Sequence, residues 1–106
     1  MFTFIELSGF SKHRKDLLSD DEFSELQKAL IANPECGSTI SGTGGFRKLR
    51  WSRPGMGKSG GVRVIYYNLS VLSGRLYLAL IYPKNEADNI TDVQKSQLMK
   101  VSSRLR

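Results

Sequence analysis

From Val62 to Leu69 and again from Leu76 to Tyr82 the chain is almost continuously apolar, and each run has the length of a strand. Only Arg63 and Asn68 break the pattern strongly, so the two runs are predicted as central strands covered on both faces over much of their length, joined by a turn around Ser73-Gly74. Phe46-Arg47-Lys48-Leu49-Arg50-Trp51 alternates instead. Period two places Leu49 and Trp51 toward the core and projects Lys48 and Arg50 from the opposite face. Phe2 to Leu7 is rich in aromatic and β-branched residues and ends at Ser8-Gly9, which marks a first strand.

Helical signals fill the gaps. Phe10 to Leu18 reads as a short polar helix, and Ser19-Asp20-Asp21-Glu22 then supplies a capping box with Ser19 as N-cap. The second helix carries Phe23, Leu26 and Leu30 on one face and must stop near Asn33-Pro34, because proline disfavours helical geometry in the residue before it. The two are expected as an antiparallel pair. Gly37, Gly42, Gly44 and Gly45 break the next stretch into a short strand and turn, and Ser52 to Gly61 reads as a glycine-rich basic loop. Beyond Pro83, Thr91-Asp92-Val93-Gln94 is a second capping box. It opens a helix whose apolar stripe is Val93, Leu98, Val101 and Leu105.

The order is therefore β-α-α-β-β-β-α. That is an α+β arrangement: a small, mostly antiparallel sheet with the N-terminal helical pair on one face and a C-terminal helix. Residues 1–106 are expected to form a single domain. If the helices cover one side, Lys48, Arg50, Arg63 and the residues after Tyr82 converge on the other, open side.

Charge sharpens that picture. Between Cys36 and Asn85 there are eight Lys or Arg and no Asp or Glu, whereas the remainder carries eight bases against ten acids. The formal charge of +6 is thus regional. A segregated basic block suits a polyanion, nucleic acid above all. No apolar run approaches the roughly 20 residues of a membrane span, and the first residues do not read as a signal peptide, so a cytoplasmic location is expected with no membrane partner. Cys36 alone excludes an internal disulfide and a cysteine-rich zinc site, and it is expected as a small buried side chain. Residues 36–85 offer no carboxylate and no histidine, so no metal or other cofactor is expected there.

Three further features bear on chemistry. Gly57-Lys58-Ser59 resembles the end of a phosphate-binding loop, but Ser52 stands where that motif needs glycine, and a strand follows where it needs a helix. His13, the single histidine, sits in Lys12-His13-Arg14-Lys15 and is expected on the solvated face, away from the concave side. No helix is basic enough to read a major groove, which argues against a transcription factor. Metal-free RNA chemistry is physically possible with such groups: a 2′-hydroxyl attacks the adjacent phosphate while arginines neutralise the charge that develops. Tyr82 has a phenol that can donate a hydrogen bond, pass a proton or stack on a base. The same groups would also serve a passive RNA-binding surface, and spacing alone does not separate the two.

At these residues a resemblance enters. Gly42-Thr43-Gly44-Gly45-Phe46-Arg47-Lys48-Leu49-Arg50, then Gly57 to Tyr67, then Ile81-Tyr82-Pro83-Lys84-Asn85-Glu86, resembles the HigB branch of the RelE-type bacterial toxins, as do Leu18 to Glu22 and Asn33-Pro34. The resemblance covers nearly the whole chain. It implies a RelE-like fold and a ribosome-dependent endoribonuclease that enters the aminoacyl site, cuts messenger RNA and leaves a 2′,3′-cyclic phosphate. It also implies a HigA-like helix-turn-helix antitoxin as partner. Carried over, the catalytic positions are Lys48, Arg50, Arg63, Tyr82 and Lys84, and Lys58 lies in a loop that this branch makes basic and is expected to bind RNA; Arg47, Arg53 and Arg75, set apart by strand parity, are expected to contact ribosomal RNA or solvent. The alternative is a non-catalytic inhibitor that binds RNA or the ribosome. Because the pattern lacks an obvious base, weak cleavage of naked RNA is expected, the ribosome supplying the alignment.

Overall fold

The computed structural model describes residues 2–52, 61–86 and 89–106. Its elements in chain order are β1 (Thr3–Glu6), α1 (Ser8–Leu17), α2 (Asp20–Ala32), β2 (Ser38–Thr39), β3 (Arg47–Trp51), β4 (Val62–Leu69), α3 (Ser70–Ser73), β5 (Arg75–Pro83) and α4 (Asp92–Leu105). Among the described residues this is an α+β domain: one mixed five-stranded sheet in the order β1-β5-β4-β3-β2, with four helices. The β2–β3, β3–β4 and β4–β5 pairs are antiparallel, and β1 pairs with β5 in parallel. The connection expected as a plain turn near Ser73-Gly74 contains the four-residue helix α3.

Local chemistry accounts for the helix ends. The Ser19 hydroxyl accepts from the Glu22 amide at 3.1 Å while the Glu22 carboxylate accepts from the Ser19 amide at 2.8 Å, so two otherwise orphaned donors are satisfied together. Thr91 and Gln94 repeat the arrangement at the start of α4. The first two helices are tied by Arg14. Its Nη1 donates to Asp20 Oδ1 at 2.8 Å, its guanidinium lies 4.7 Å from the Phe23 ring centre, and it holds the Asp20 carboxyl below its ordinary range.

The sheet has a core on each face. Phe10, Leu18, Leu26 and Leu30 from α1 and α2 cover Val62, Val64, Tyr66, Leu76, Leu78 and Ile81, with Leu49 and Trp51 packed alongside. The parity expected for β3 is therefore the one observed. On the other face Phe46, Ile65, Tyr67, Tyr77 and Ala79 pack with Ile90 and Leu98, and Val101 and Leu105 lie against them. The sequence suggested an open face here; instead α4 covers much of it. Gly44 permits the approach. Its φ is +77°, and a Cβ there would lie 2.1 Å from Ser102 Oγ on α4.

Two residues lie elsewhere than expected. Val93 is 68% exposed, since five residues before Leu98 is about 140° away around a helix, off the apolar stripe. Cys36 is exposed rather than buried, with its sulfur 3.9 Å from the Tyr66 hydroxyl. No helix of the described residues is long and apolar enough to cross a membrane.

Candidate functional site

Strand pairing brings three of the expected residues into one lateral row. Arg50 on β3 is the direct partner of Arg63 on β4, and Arg63 is the direct partner of Tyr82 on β5. Directly opposed residues share a face of the sheet, so two guanidiniums and a phenol stand side by side on the α4 face. The next row holds Lys48, Ile65 and Leu80, which puts the lysine diagonally beside Arg63.

Tyr82 reaches this row through an irregularity. Tyr67 opposes Tyr77 and Tyr66 opposes Leu78, but Ile65 opposes Leu80, so Ala79 is an extra residue on β5. Unbroken alternation from Tyr77 would bring Ile81 to the arginine face and turn Tyr82 to the helix-pair face. The bulge reverses that parity, a known way of re-aiming a side chain near a site.

The members differ in exposure. Arg50 is exposed, Lys48 and Tyr82 are half-buried, and Arg63 is only 5% exposed. Placing a permanent charge at such depth is costly, and like charges directly opposite each other on a sheet repel. An anion seated over the row would offset the repulsion between the two cations. Lys48 Nζ donates to Asn89 Oδ1 at 3.0 Å, linking β3 to the segment before α4. The Lys84 amide donates to the Gly61 carbonyl at 2.9 Å, so the exposed Lys84 side chain starts from the same end of the sheet as Arg63.

The remaining basic residues separate from this group. Arg47 lies on the opposite face, where its Nη1 donates to the carbonyls of Gly37 at 2.8 Å and Glu35 at 3.2 Å and holds the segment after α2. Tyr66 supports the same segment: its hydroxyl accepts from the Gly37 amide and donates to the Pro34 carbonyl, each at 2.8 Å. Burial pushes this phenol up to about 12. Arg75 bonds the Tyr77 hydroxyl at 3.3 Å and stands seven residues from Tyr82, about 23 Å along the strand. Arg53 and Lys58 lie outside the described residues.

Two hollows flank the row. One, of about 680 Å³, lies beside β2 and is lined by Ser38, Thr39, Ser41, Lys48 and Arg50. The other, of about 450 Å³, lies between α1 and the end of β5, where Lys12, His13 and Asp16 face Leu80, Tyr82, Asn89 and Gln94. His13 is exposed, as expected of the solvated face, but it lines this cleft rather than lying away from the concave side. Helix α1 follows β1 directly and continues along β5, and Gly9 allows it close: a Cβ there would lie 2.6 Å from Leu80 Cδ2 and 2.9 Å from the Ala79 carbonyl. One side of α1 then supplies Phe10 to the core, and the other supplies a wall of the cleft. Glycine early in a helix was the available signal for this close approach.

No protein-family model matches the chain. Among the described residues no group of three or more His, Cys, Asp or Glu is placed to hold a metal ion. Adjacent guanidiniums can each take a non-bridging oxygen of one phosphodiester, and the neighbouring ammonium can donate to a flanking oxygen, while the Tyr82 hydroxyl oxygen itself is buried in the described arrangement.

Proposed function

We propose that this protein is a toxin of the HigB branch of the RelE-type family, with a RelE-like topology, acting as a ribosome-dependent messenger RNA endoribonuclease in the cytoplasm. The Arg50–Arg63–Tyr82 row, with Lys48 beside it, is the observation that carries this reading. Arg63 and Arg50 bind the scissile phosphate and neutralise the charge that grows as the 2′-oxygen attacks phosphorus. Tyr82, Lys48 and Lys84 orient the flanking oxygens and assist proton movement. The product is a 2′,3′-cyclic phosphate, formed without a cofactor.

The ribosome's part follows from the same chemistry. An RNA held with its 2′-oxygen in line with phosphorus needs mainly charge stabilisation, and the arginine pair supplies that. A HigA-like antitoxin would neutralise the toxin by covering or distorting the basic row. Binding by coverage would weaken as salt is added.

Translation in a cell-free system with and without the protein, followed by primer extension on the message, tests the reading. Codon-phased cuts are expected, and Arg63→Ala should reduce them by about 10²–10³-fold, the usual cost of losing one group that stabilises developing charge. Stalled but intact transcripts would instead indicate a binder that inhibits by occupancy.

A further inference from the structure

The arginine row can bind and stabilise, but proton removal from a 2′-hydroxyl calls for a group whose ordinary titration lies near the working pH. Imidazole is the side chain of that kind, and the chain has one. We propose that His13 is the proton acceptor of the site, contributed by α1 across the cleft from Tyr82. This rests on the ribonuclease reading and adds to it a catalytic wall outside the sheet.

Tyr82 makes the connection. It belongs both to the row with Arg50 and Arg63 and to the lining of the cleft that holds His13. The row and the cleft are thus contiguous at Tyr82, and in this proposal a phosphodiester on the arginines extends its flanking ribose past Tyr82 into the cleft. Among the described residues, the ionisable groups that line the cleft with His13 are Lys12 and Asp16 on its own helix, Tyr82 on β5 and Glu86 just beyond it. Asp16 is three residues on from His13, hence on the same side of the helix, and lines the cleft with it. Asn89 and Gln94 add neutral donors and acceptors for a base or ribose.

The step balances as follows. The imidazole takes the 2′-hydroxyl proton while the 2′-oxygen forms its bond to phosphorus. The bond from phosphorus to the 5′-oxygen then breaks, its electron pair staying on that oxygen. A water molecule gives the leaving oxygen its proton, and the hydroxide so formed takes the proton from the imidazolium, which restores the neutral imidazole.

Because there is one histidine, its ring protons give a single assignable set of NMR signals, and two measurements test the proposal. In the first, ribosome-programmed cleavage is followed against pH for the wild type, His13→Gln and Arg63→Ala. His13→Gln should lower the cleavage rate by about 10²–10⁴-fold and remove the rise of rate with pH on the acid side. In the second, the imidazole of the free protein is titrated with and without a nucleoside 3′-monophosphate. Its midpoint should move upward when the phosphate is bound, as a nearby anion favours the protonated ring.

A His13→Gln protein that cleaves at the wild-type rate with the same pH profile overturns the proposal, and if Arg63→Ala is inactive beside it the ribonuclease reading stands. An imidazole midpoint unmoved while sheet resonances shift also overturns it, since the ligand then does not reach the α1 wall. A wild type that cuts nothing on the ribosome removes both readings together.

Discussion

Arg50 and Arg63 are direct cross-strand partners on one face of the sheet, Arg50 exposed and Arg63 only 5% exposed. Keeping two cations there is a cost that an anionic ligand relieves, so stability and binding are expected to pull in opposite directions.

Arg50→Gln should therefore raise stability by about 0.2–1 kcal/mol, the scale of a cross-strand pair, while weakening RNA binding. Urea unfolding reads the first effect. Affinity measured against salt reads the second, and the slope should flatten by roughly 0.7 for each phosphate of a single strand that is no longer neutralised. A destabilised variant with undiminished RNA affinity would remove the arginine pair as the anion site.

Gly9→Ala should cost about 1–3 kcal/mol through overpacking. Leu80 Cδ2 can move aside, but the Ala79 carbonyl at 2.9 Å from the new Cβ is backbone. Relief must come from displacement of α1, which widens the cleft between His13 and Tyr82. Thermal unfolding should show the loss, and RNA cleavage per folded molecule should fall as well. Gly9→Ala at wild-type stability would mean that α1 does not rest on β5 at this distance.

Tyr66→Phe removes a hydroxyl that both accepts from Gly37 and donates to Pro34. The buried Gly37 amide loses its acceptor, at a cost of about 1–3 kcal/mol. The pH dependence has a definite sign. Folding raises this phenol from 10.0 to about 12, so its contribution is complete below pH 10 and is lost as pH rises from there through 12. Stability against pH should fall more steeply across that window in the wild type than in Tyr66→Phe. Parallel curves would show that the hydroxyl titrates normally.

Lys48→Met and Asn89→Ala should each loosen the link between β3 and the segment before α4. In a double-mutant cycle on unfolding free energy the pair should couple by about 0.5–1.5 kcal/mol, as for one hydrogen bond, with partial exposure favouring the low end. Additive single effects would show that the bond contributes nothing in solution.

Much of this architecture was legible along the chain because its causes are local. Two capping boxes marked where α2 and α4 begin, Asn33-Pro34 marked where α2 ends, and two apolar runs marked β4 and β5. Period-two alternation separated Lys48 and Arg50 from Leu49 and Trp51, since neighbours on a strand point to opposite faces. The acid-free basic block, too, was a matter of composition alone.

What the sequence could not decide was set by pairing between distant segments. Counted from Tyr77, alternation turns Tyr82 away from the arginines; only the pairing of β4 with β5 shows that Ala79 is the extra residue that brings it back. Period two already set Arg47 apart from Lys48 and Arg50, but that it would bind the Glu35 and Gly37 carbonyls, and so hold the segment after α2, depends on where that segment packs. His13 carried no sign of the cleft it lines, because that depends on α1 running along β5 beyond the end of β1. Periodicity reports which side of its own element a residue occupies. Which residues of other elements share that side is decided by register and packing, and these are properties of the folded chain.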